Sequence, residues 1–332
     1  IKVLDFSRVL AGPFASMILG DLGANIIKIE PPEGDETRYW APFIDKESVY
    51  FLSINRNKKS IVIDLKKEES KKIIYRLVKD CDVIIENFRE DTPVKLGIDY
   101  NTVKTIKEDI IYCSIKGFGS KSPYSKKPLY DLLVQAMSGL MSVTGEEGRP
   151  PIRVAFALFD VFAGLIAVVS ILAALFERNK NGKGKYIEVS IYDTAIFTMC
   201  YISEMYLLTN KIPSKMGSAH PSIVPYQTFR CKDGKYIAIA VTNEKFWKNF
   251  CEALNLEEIY KDHRFKTNPD RVKNRDLLIP ILEKKFIEKT RNEWIANLEK
   301  YDVPCTPVYE LDEVFNDIHV KISDMIDEVK HK

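Results

Sequence analysis

The sequence predicts an α/β protein: an open parallel sheet with helices on both faces, followed by a smaller α+β domain. Three observations carry that prediction. Short β-branched runs alternate with helical patterns from residue 1 to about residue 210, which is the signature of a parallel sheet covered on both sides. Near residue 211 the pattern changes to a hairpin-like strand pair followed by helices. The run from Val154 to Phe176 carries one ionisable side chain, Asp160, so a long buried helix belongs to the first region.

Ile1 to Phe6 reads as a buried strand, Gly12-Pro13 as a turn opening a helix over Phe14 to Leu19, and Asn25 to Glu30 as a second strand ending at Pro31-Pro32. That βαβ unit is Rossmann-like, but its glycines, Gly12, Gly20 and Gly23, do not make the G-x-G-x-x-G spacing of a dinucleotide site, so Glu30 is not a ribose ligand on motif grounds. Asn55 to Ser60 leads into a strand over Ile61 to Leu65. Arg56, Lys58, Lys59 and Lys66 around that strand could hold a polyanionic cofactor, such as a nucleotide with phosphates, or could equally be the solvated basic residues of an edge strand. A helix over Glu68 to Lys79 and a strand over Val83 to Glu86 follow, and Asn87-Phe88-Arg89 stands at that strand's C-terminal end, where open α/β sheets bind ligands.

The strand Ile110 to Ile115 runs into the flexible loop Lys116 to Ser120, and a helix with apolar positions at Leu132, Leu133, Ala136, Met137 and Leu140 leads to the long apolar run. Local pattern alone favours Asp160 as the N-cap of a buried helix over Val161 to Glu177. The same placement would hold a reactive carboxylate, and a transmembrane span is disfavoured by the Asp and the two preceding prolines. After the turn Asn179 to Lys185 come a strand over Tyr186 to Ser190 and a helix over Asp193 to Leu208. The second region then reads as a hairpin, Val224 to Arg230 with Tyr236 to Val241, and helices near 245–254, 274–285 and 291–298, the middle one kinked or split at Pro280. Pro304 to Val308 reads as a strand returning to the main sheet, so the domains are 1–210, completed by about 303–332, and 211–302.

The 332 residues include 49 basic and 47 acidic side chains, interspersed to a net charge of +2, which gives no field for a nucleic acid partner. The six cysteines are widely spaced, with no CxxC pair and only four histidines. They predict reduced thiols of a cytoplasmic protein and no metal site. The opening strand is unlike a signal peptide, and a few residues are expected to precede it.

Taken together, Val3 to Val9 with Ala11-Gly12-Pro13, Leu22 to Asn25, Asn57 to Ile61, Glu86-Asn87-Phe88, Gly117-Phe118-Gly119, Gly148 to Pro151, Asp160, Gly182-Lys183-Gly184 and Val303 to Val308 form an ordered set. That set resembles the family III CoA-transferases, which include formyl-CoA transferase, carnitine CoA-transferase and α-methylacyl-CoA racemase. The resemblance implies Asp160 as a covalent nucleophile, reversing the local reading, with acyl-CoA and a carboxylic acid as substrates, no tightly bound cofactor and no metal. It implies CoA contacts at Val9, Leu10, Ala11, Lys58, Ile63, Lys66, Asn87, Phe88, Arg89, Lys95 and Tyr130. Pro31 and Pro128 replace basic residues of formyl-CoA transferase, with Lys58, Lys59 or Lys127 to compensate. The racemase branch places a His before an Asp and a Glu in the small domain; here those positions hold Tyr130 and Asn243, with Glu244 one residue away. Gly217 to Gln227 resembles the branch using succinyl-type donors and dicarboxylate acceptors, with His220 as a candidate contact. The family fold implies an interlocked homodimer, and a final return segment is expected to be cut short near Lys332.

Overall fold

The computed structural model describes residues 1–89 and 91–329, and these divide into two compact units, 1–89 and 91–144 with 150–214, and 145–149 with 215–329. In the first unit, β1 (Lys2–Asp5), α1 (Ala11–Asp21) and β2 (Asn25–Glu30) form the expected βαβ unit. A small hairpin, β3 (Phe43–Ile44) with β4 (Glu47–Ser48), and α2 (Val49–Ile54) lead to β5 (Lys58–Val62). Next come α3 (Glu68–Asp80), β6 (Val83–Glu86), α4 (Thr92–Leu96), α5 (Tyr100–Ile106) and β7 (Ile111–Lys116). The unit closes with α6 (Asp131–Met137), α7 (Leu140–Val143), α8 (Leu158–Asn181), β8 (Lys185–Ser190), α9 (Ile191–Thr198) and α10 (Tyr201–Thr209).

Six of these strands make one parallel sheet in the order β5-β2-β1-β6-β7-β8. Strands buried on both faces explain the continuous aliphatic runs: Val83, Ile85, Ile111, Cys113 and Ile115 face one core with α1 and α8, while Ile84, Tyr112 and Ile110 face the other with α3 and α5.

Several boundaries depart from expectation. The Ile61 to Leu65 strand begins three residues earlier, because Lys58 to Val62 is the stretch that pairs in register with Ile26 to Glu30. Helix α1 begins at Ala11, so Gly12-Pro13 lies inside its first turn, where a proline's missing N–H costs nothing. The Asp193 to Leu208 helix is two helices, broken at Cys200, whose φ is +47°. Helix α8 starts at Leu158, with Ala157 at its N-cap and no side-chain cap of its own; Asp160 is the third helical residue rather than the cap. By length and composition α8 could cross a membrane, yet Ala163, Ala167, Ile171 and Ala174 lie buried in the core of the unit.

The second unit holds β9 (Tyr226–Arg230) and β10 (Tyr236–Ala240) as an antiparallel hairpin, with α11 (Glu244–Ala253), α12 (Glu257–Lys261), α13 (Asn268–Lys273), α14 (Arg275–Phe286) and α15 (Arg291–Lys300) around it. Helix α14 runs unsplit through Pro280, since burying Leu278, Leu282 and Phe286 outweighs one lost backbone bond. The strand β11 (Cys305–Pro307) does not return to the parallel sheet: it pairs antiparallel with β10, Ile239 opposite Cys305 and Ile237 opposite Pro307. An apolar strand following α15 finds the open edge of β10 nearby in the chain, and pairing there satisfies its backbone groups. Residues 303–329 therefore belong to the second unit, and residues 330–332 of the expected return segment lie outside the described residues.

Candidate active site

Loops at the C-terminal ends of β1, β2, β5, β6 and β7 enclose a cavity of about 660 Å³ in the first unit. That is where an open parallel sheet presents ligands. Of the residues expected to meet CoA, Val9, Leu10, Ala11, Ile63, Lys66, Asn87, Phe88, Arg89 and Tyr130 line it, and so does Asp160. Arg8, Lys116 and Lys127 add cations to the same wall, and the two prolines Pro31 and Pro128 stand among them.

Two expected contacts fall elsewhere. Lys58 is turned inward: its Nζ donates to the Pro13 carbonyl at 2.7 Å and to Asn55 Oδ1 at 2.8 Å, and sits 3.4 Å from Asp5. Its side chain is 2% exposed, its Nζ is taken up by these interior groups, and it does not line the cavity. Burial pulls its ammonium down to about 8, although Asp5 opposes the shift. Lys95 is exposed on α4, whose Thr92 and Leu96 line the cavity while Lys95 does not.

Beneath the cavity lies a buried ionic lattice that periodicity does not signal. Lys28 is 1% exposed and donates to the Ser7 carbonyl at 2.8 Å, with Asp35 3.0 Å away. Asp5 accepts from the Ser7 N–H and from the hydroxyls of Ser7 and Ser16, and despite burial Lys58 and Lys28 hold its carboxyl below the usual range. Glu30 accepts a two-point bond from Arg38, both contacts 2.7 Å, and another from Ser60; these hold it down to about 2 against its burial. The C-terminal end of β2 is thus spent on structure, in agreement with the missing dinucleotide fingerprint.

The carboxylate at the cavity is positioned from a neighbouring helix. Asp131 Oδ1 accepts the Phe159 N–H at 2.8 Å, supplying the cap that Ala157 lacks. Gln135 Nε2 donates to Asp131 Oδ2 at 2.6 Å, and Gln135 Oε1 accepts the Val154 N–H at 2.8 Å. So α6 grips both the loop before α8 and its first turn, and Asp160 is carried on that turn. Burial pushes the Asp160 carboxyl up to about 7, and the charge of Asp131 adds to the rise. The helix end therefore does not make Asp160 a strong acid; burial outweighs it and holds the carboxyl near the point where half is ionised at neutral pH. Tyr50 feels the same field: burial, then the charge of Asp160, raise its phenol to about 12, keeping it a neutral donor. The signal for Asp131 and Gln135 was their i, i+4 spacing on α6.

A perturbed carboxylate in a cation-flanked cleft at the strand ends defines an α/β enzyme built to handle an anionic ligand beside a reactive acid. The model of CoA-transferase family III matches residues 1–332, and the chain belongs to that family of enzymes. It is 41% identical to the human (Homo sapiens) succinyl-CoA:glutarate CoA-transferase, over 100% of this chain and 76% of that protein. It is 36% identical to the succinate–glutarate CoA-transferase of Agrobacterium fabrum, over 97% of this chain and 82% of that protein. Among solved structures, a CaiB/BaiF family protein from Brucella suis superposes with a TM-score of 0.89 at 40% identity, covering 98% of this chain and 87% of that one.

In the second unit, Asn243 caps α11 through the Phe246 N–H, and Glu244 is paired with Arg271 at 2.9 and 3.1 Å. His220 Nδ1 accepts the Ser222 N–H at 3.1 Å. Four of the six cysteines, Cys81, Cys113, Cys231 and Cys251, are buried thiols.

Proposed function

We propose that this transferase moves CoA from an acyl-CoA donor to a carboxylic acid through covalent intermediates on Asp160. The observation that carries the reading is the Asp160 carboxyl, facing the cavity from the first turn of α8 and held near neutrality. A carboxylate that is ionised at working pH but poorly solvated is a competent nucleophile. Its oxygen attacks the thioester carbonyl, the C–S bond breaks, and CoA thiolate leaves a mixed anhydride. The thiolate then attacks the aspartyl carbonyl and expels the donor's acid, giving an enzyme-bound CoA thioester. The acceptor carboxylate attacks that carbonyl and releases CoA thiolate, which takes the new acyl group and frees Asp160. Bonds formed and broken balance with no metal or redox partner.

Val9, Leu10, Ala11, Ile63, Phe88 and Tyr130 supply the walls for CoA, and Lys66, Arg89 and Lys127 its phosphate-facing cations. Succinyl-type donors and dicarboxylate acceptors are the substrate class, as the names of the human and Agrobacterium relatives suggest. The racemase reading is disfavoured by chemistry: Tyr130 is no ready base, Asn243 is an amide spent as a helix cap, and Glu244 is held by Arg271. The protein acts as a homodimer in the cytoplasm. Support for the dimer is the exposed apolar surface of α8, α9 and α10, where Val169, Phe176, Phe197, Leu207 and Leu208 are each more than 60% exposed. Buried free thiols support the location.

Intact-protein mass spectrometry after adding succinyl-CoA, with and without hydroxylamine, tests the reading. A CoA-sized adduct on the Asp160 peptide, absent from Asp160→Ala, is expected. No adduct with any acyl-CoA, together with α-proton exchange into deuterated water, would favour the racemase.

A further inference from the structure

Val9 lies on the cavity wall at φ +68°, a conformation in which a β-branched side chain is crowded, and the residue after it, Leu10, is also irregular at φ −132°, ψ −66°. The three residues before them are tied down at almost every polar backbone atom. The Phe6 N–H donates to the Ile85 carbonyl at 2.8 Å, the Ser7 N–H to Asp5 Oδ1 at 2.9 Å, and Lys28 Nζ to the Ser7 carbonyl at 2.8 Å. The last tie is a two-point clamp from the neighbouring strand end: Asn87 Oδ1 accepts the Arg8 N–H at 2.9 Å, and Asn87 Nδ2 donates to the Arg8 carbonyl at 2.7 Å. One donor and one acceptor of that amide are therefore taken up by the Arg8 backbone. On the far side, the Leu10 carbonyl accepts the Phe14 N–H, and α1 begins with no side-chain cap.

We propose that Asn87 is a positioning residue: it acts on CoA binding through the Val9 turn that its clamp holds, so that the backbone of Val9 to Ala11 faces the thioester beside Asp160. The turn is stable because the clamp, the Lys28 and Asp5 bonds and the start of α1 over-determine it. Only an amide serves at position 87, since the clamp needs one donor and one acceptor on the same planar group. The proposal rests on the reading of the cavity as the CoA site.

The test is a double-mutant cycle of Asn87→Ala and Val9→Gly, read by calorimetric binding of CoA and by thermal unfolding. Glycine adopts positive φ without the crowding of a side chain, so the turn then needs less holding. Asn87→Ala is expected to weaken CoA binding by about tenfold or more in the native background and by about threefold or less in the Val9→Gly background. The unfolding shifts are expected to be non-additive in the same sense. An equal loss of CoA affinity in both backgrounds, the mark of a direct contact with CoA, overturns the proposal. So does a folded Asn87→Ala that binds CoA normally. If Asn87→Ala does not fold, Asn87→Asp keeps the acceptor but loses the donor and carries the same comparison. A wild-type protein that binds no CoA overturns the functional reading instead, and the unfolding cycle then still decides whether the clamp exists.

Discussion

Replacing Asp160 by Asn separates the chemistry of this carboxyl from its effect on folding. The folded protein holds the Asp160 proton up to about pH 7, whereas the ordinary value of 3.8 applies once the chain unfolds. The raised value means that the favourable, protonated form is fully present below about pH 4 and is lost as pH rises through about 7. One pKa unit is about 1.4 kcal/mol, so the full difference is at most about 4 kcal/mol, and for a side chain that is only partly buried screening reduces it to about 1–2 kcal/mol. The neutral amide of the variant has no charge to bury. Asp160→Asn should therefore be more stable than the native protein at pH 8, by about 2–8 °C in the melting of the first unit, and the gain should shrink at pH 5. Paired melting curves at the two pH values read this directly, while CoA transfer by the variant should be lost. If Asp160 acts as proposed, kcat/KM of the native enzyme should rise with pH through about 7 as its carboxyl ionises. A stability difference that is the same at pH 5 and pH 8, or a variant less stable at pH 8, would refute the assignment of a burial-raised carboxyl.

Lys66→Ala and Lys127→Ala should each raise the KM for acyl-CoA by about three- to tenfold with kcat little changed, and the effect should fade as ionic strength rises; unchanged KM values at low salt would remove these cations from the phosphate site. Lys58→Met, by contrast, should act on folding, costing about 3–5 kcal/mol in denaturant unfolding because Asp5 loses a buried partner, and a stable variant with only a raised KM would return Lys58 to the ligand site. Gly164→Ala places a methyl 2.8 Å from the Ala11 carbonyl oxygen and 3.1 Å from the Phe14 ring, where α8 crosses α1. The crossing must open, at about 1–3 kcal/mol, and the start of α1 must move relative to Asp160, so kcat/KM should fall about tenfold or more; native kinetics would show that the crossing does not set the site.

How far the chain could be read before folding differs from element to element. The strands Asn25 to Glu30 and Val83 to Glu86 agree with their expected limits because both are central, and burial on two faces writes an aliphatic run into the sequence. The Ile61 to Leu65 strand was displaced because β5 is an edge strand: the polar residues Lys58, Lys59 and Ser60 run straight into Ile61 and Val62, and pairing with β2 decides where it starts. A helix through Asp160 was legible from the apolar run, yet its cap was not, because the capping oxygen comes from Asp131, 28 residues earlier in the chain.

Residue types and their order were enough to establish an α/β chain, a second α+β region, and an acid in an apolar helix within a set of motifs belonging to one family. Those are properties of local pattern and of ordered short segments, which survive in one dimension. Tertiary structure alone decided that Lys58 turns inward to Asp5, that Asn87 bonds the Arg8 backbone, that the strand at Cys305 joins the small sheet, and that burial raises the Asp160 carboxyl. Each of these depends on which groups meet across long stretches of chain and on how much water is left between them, and neither quantity is written in the spacing of residues.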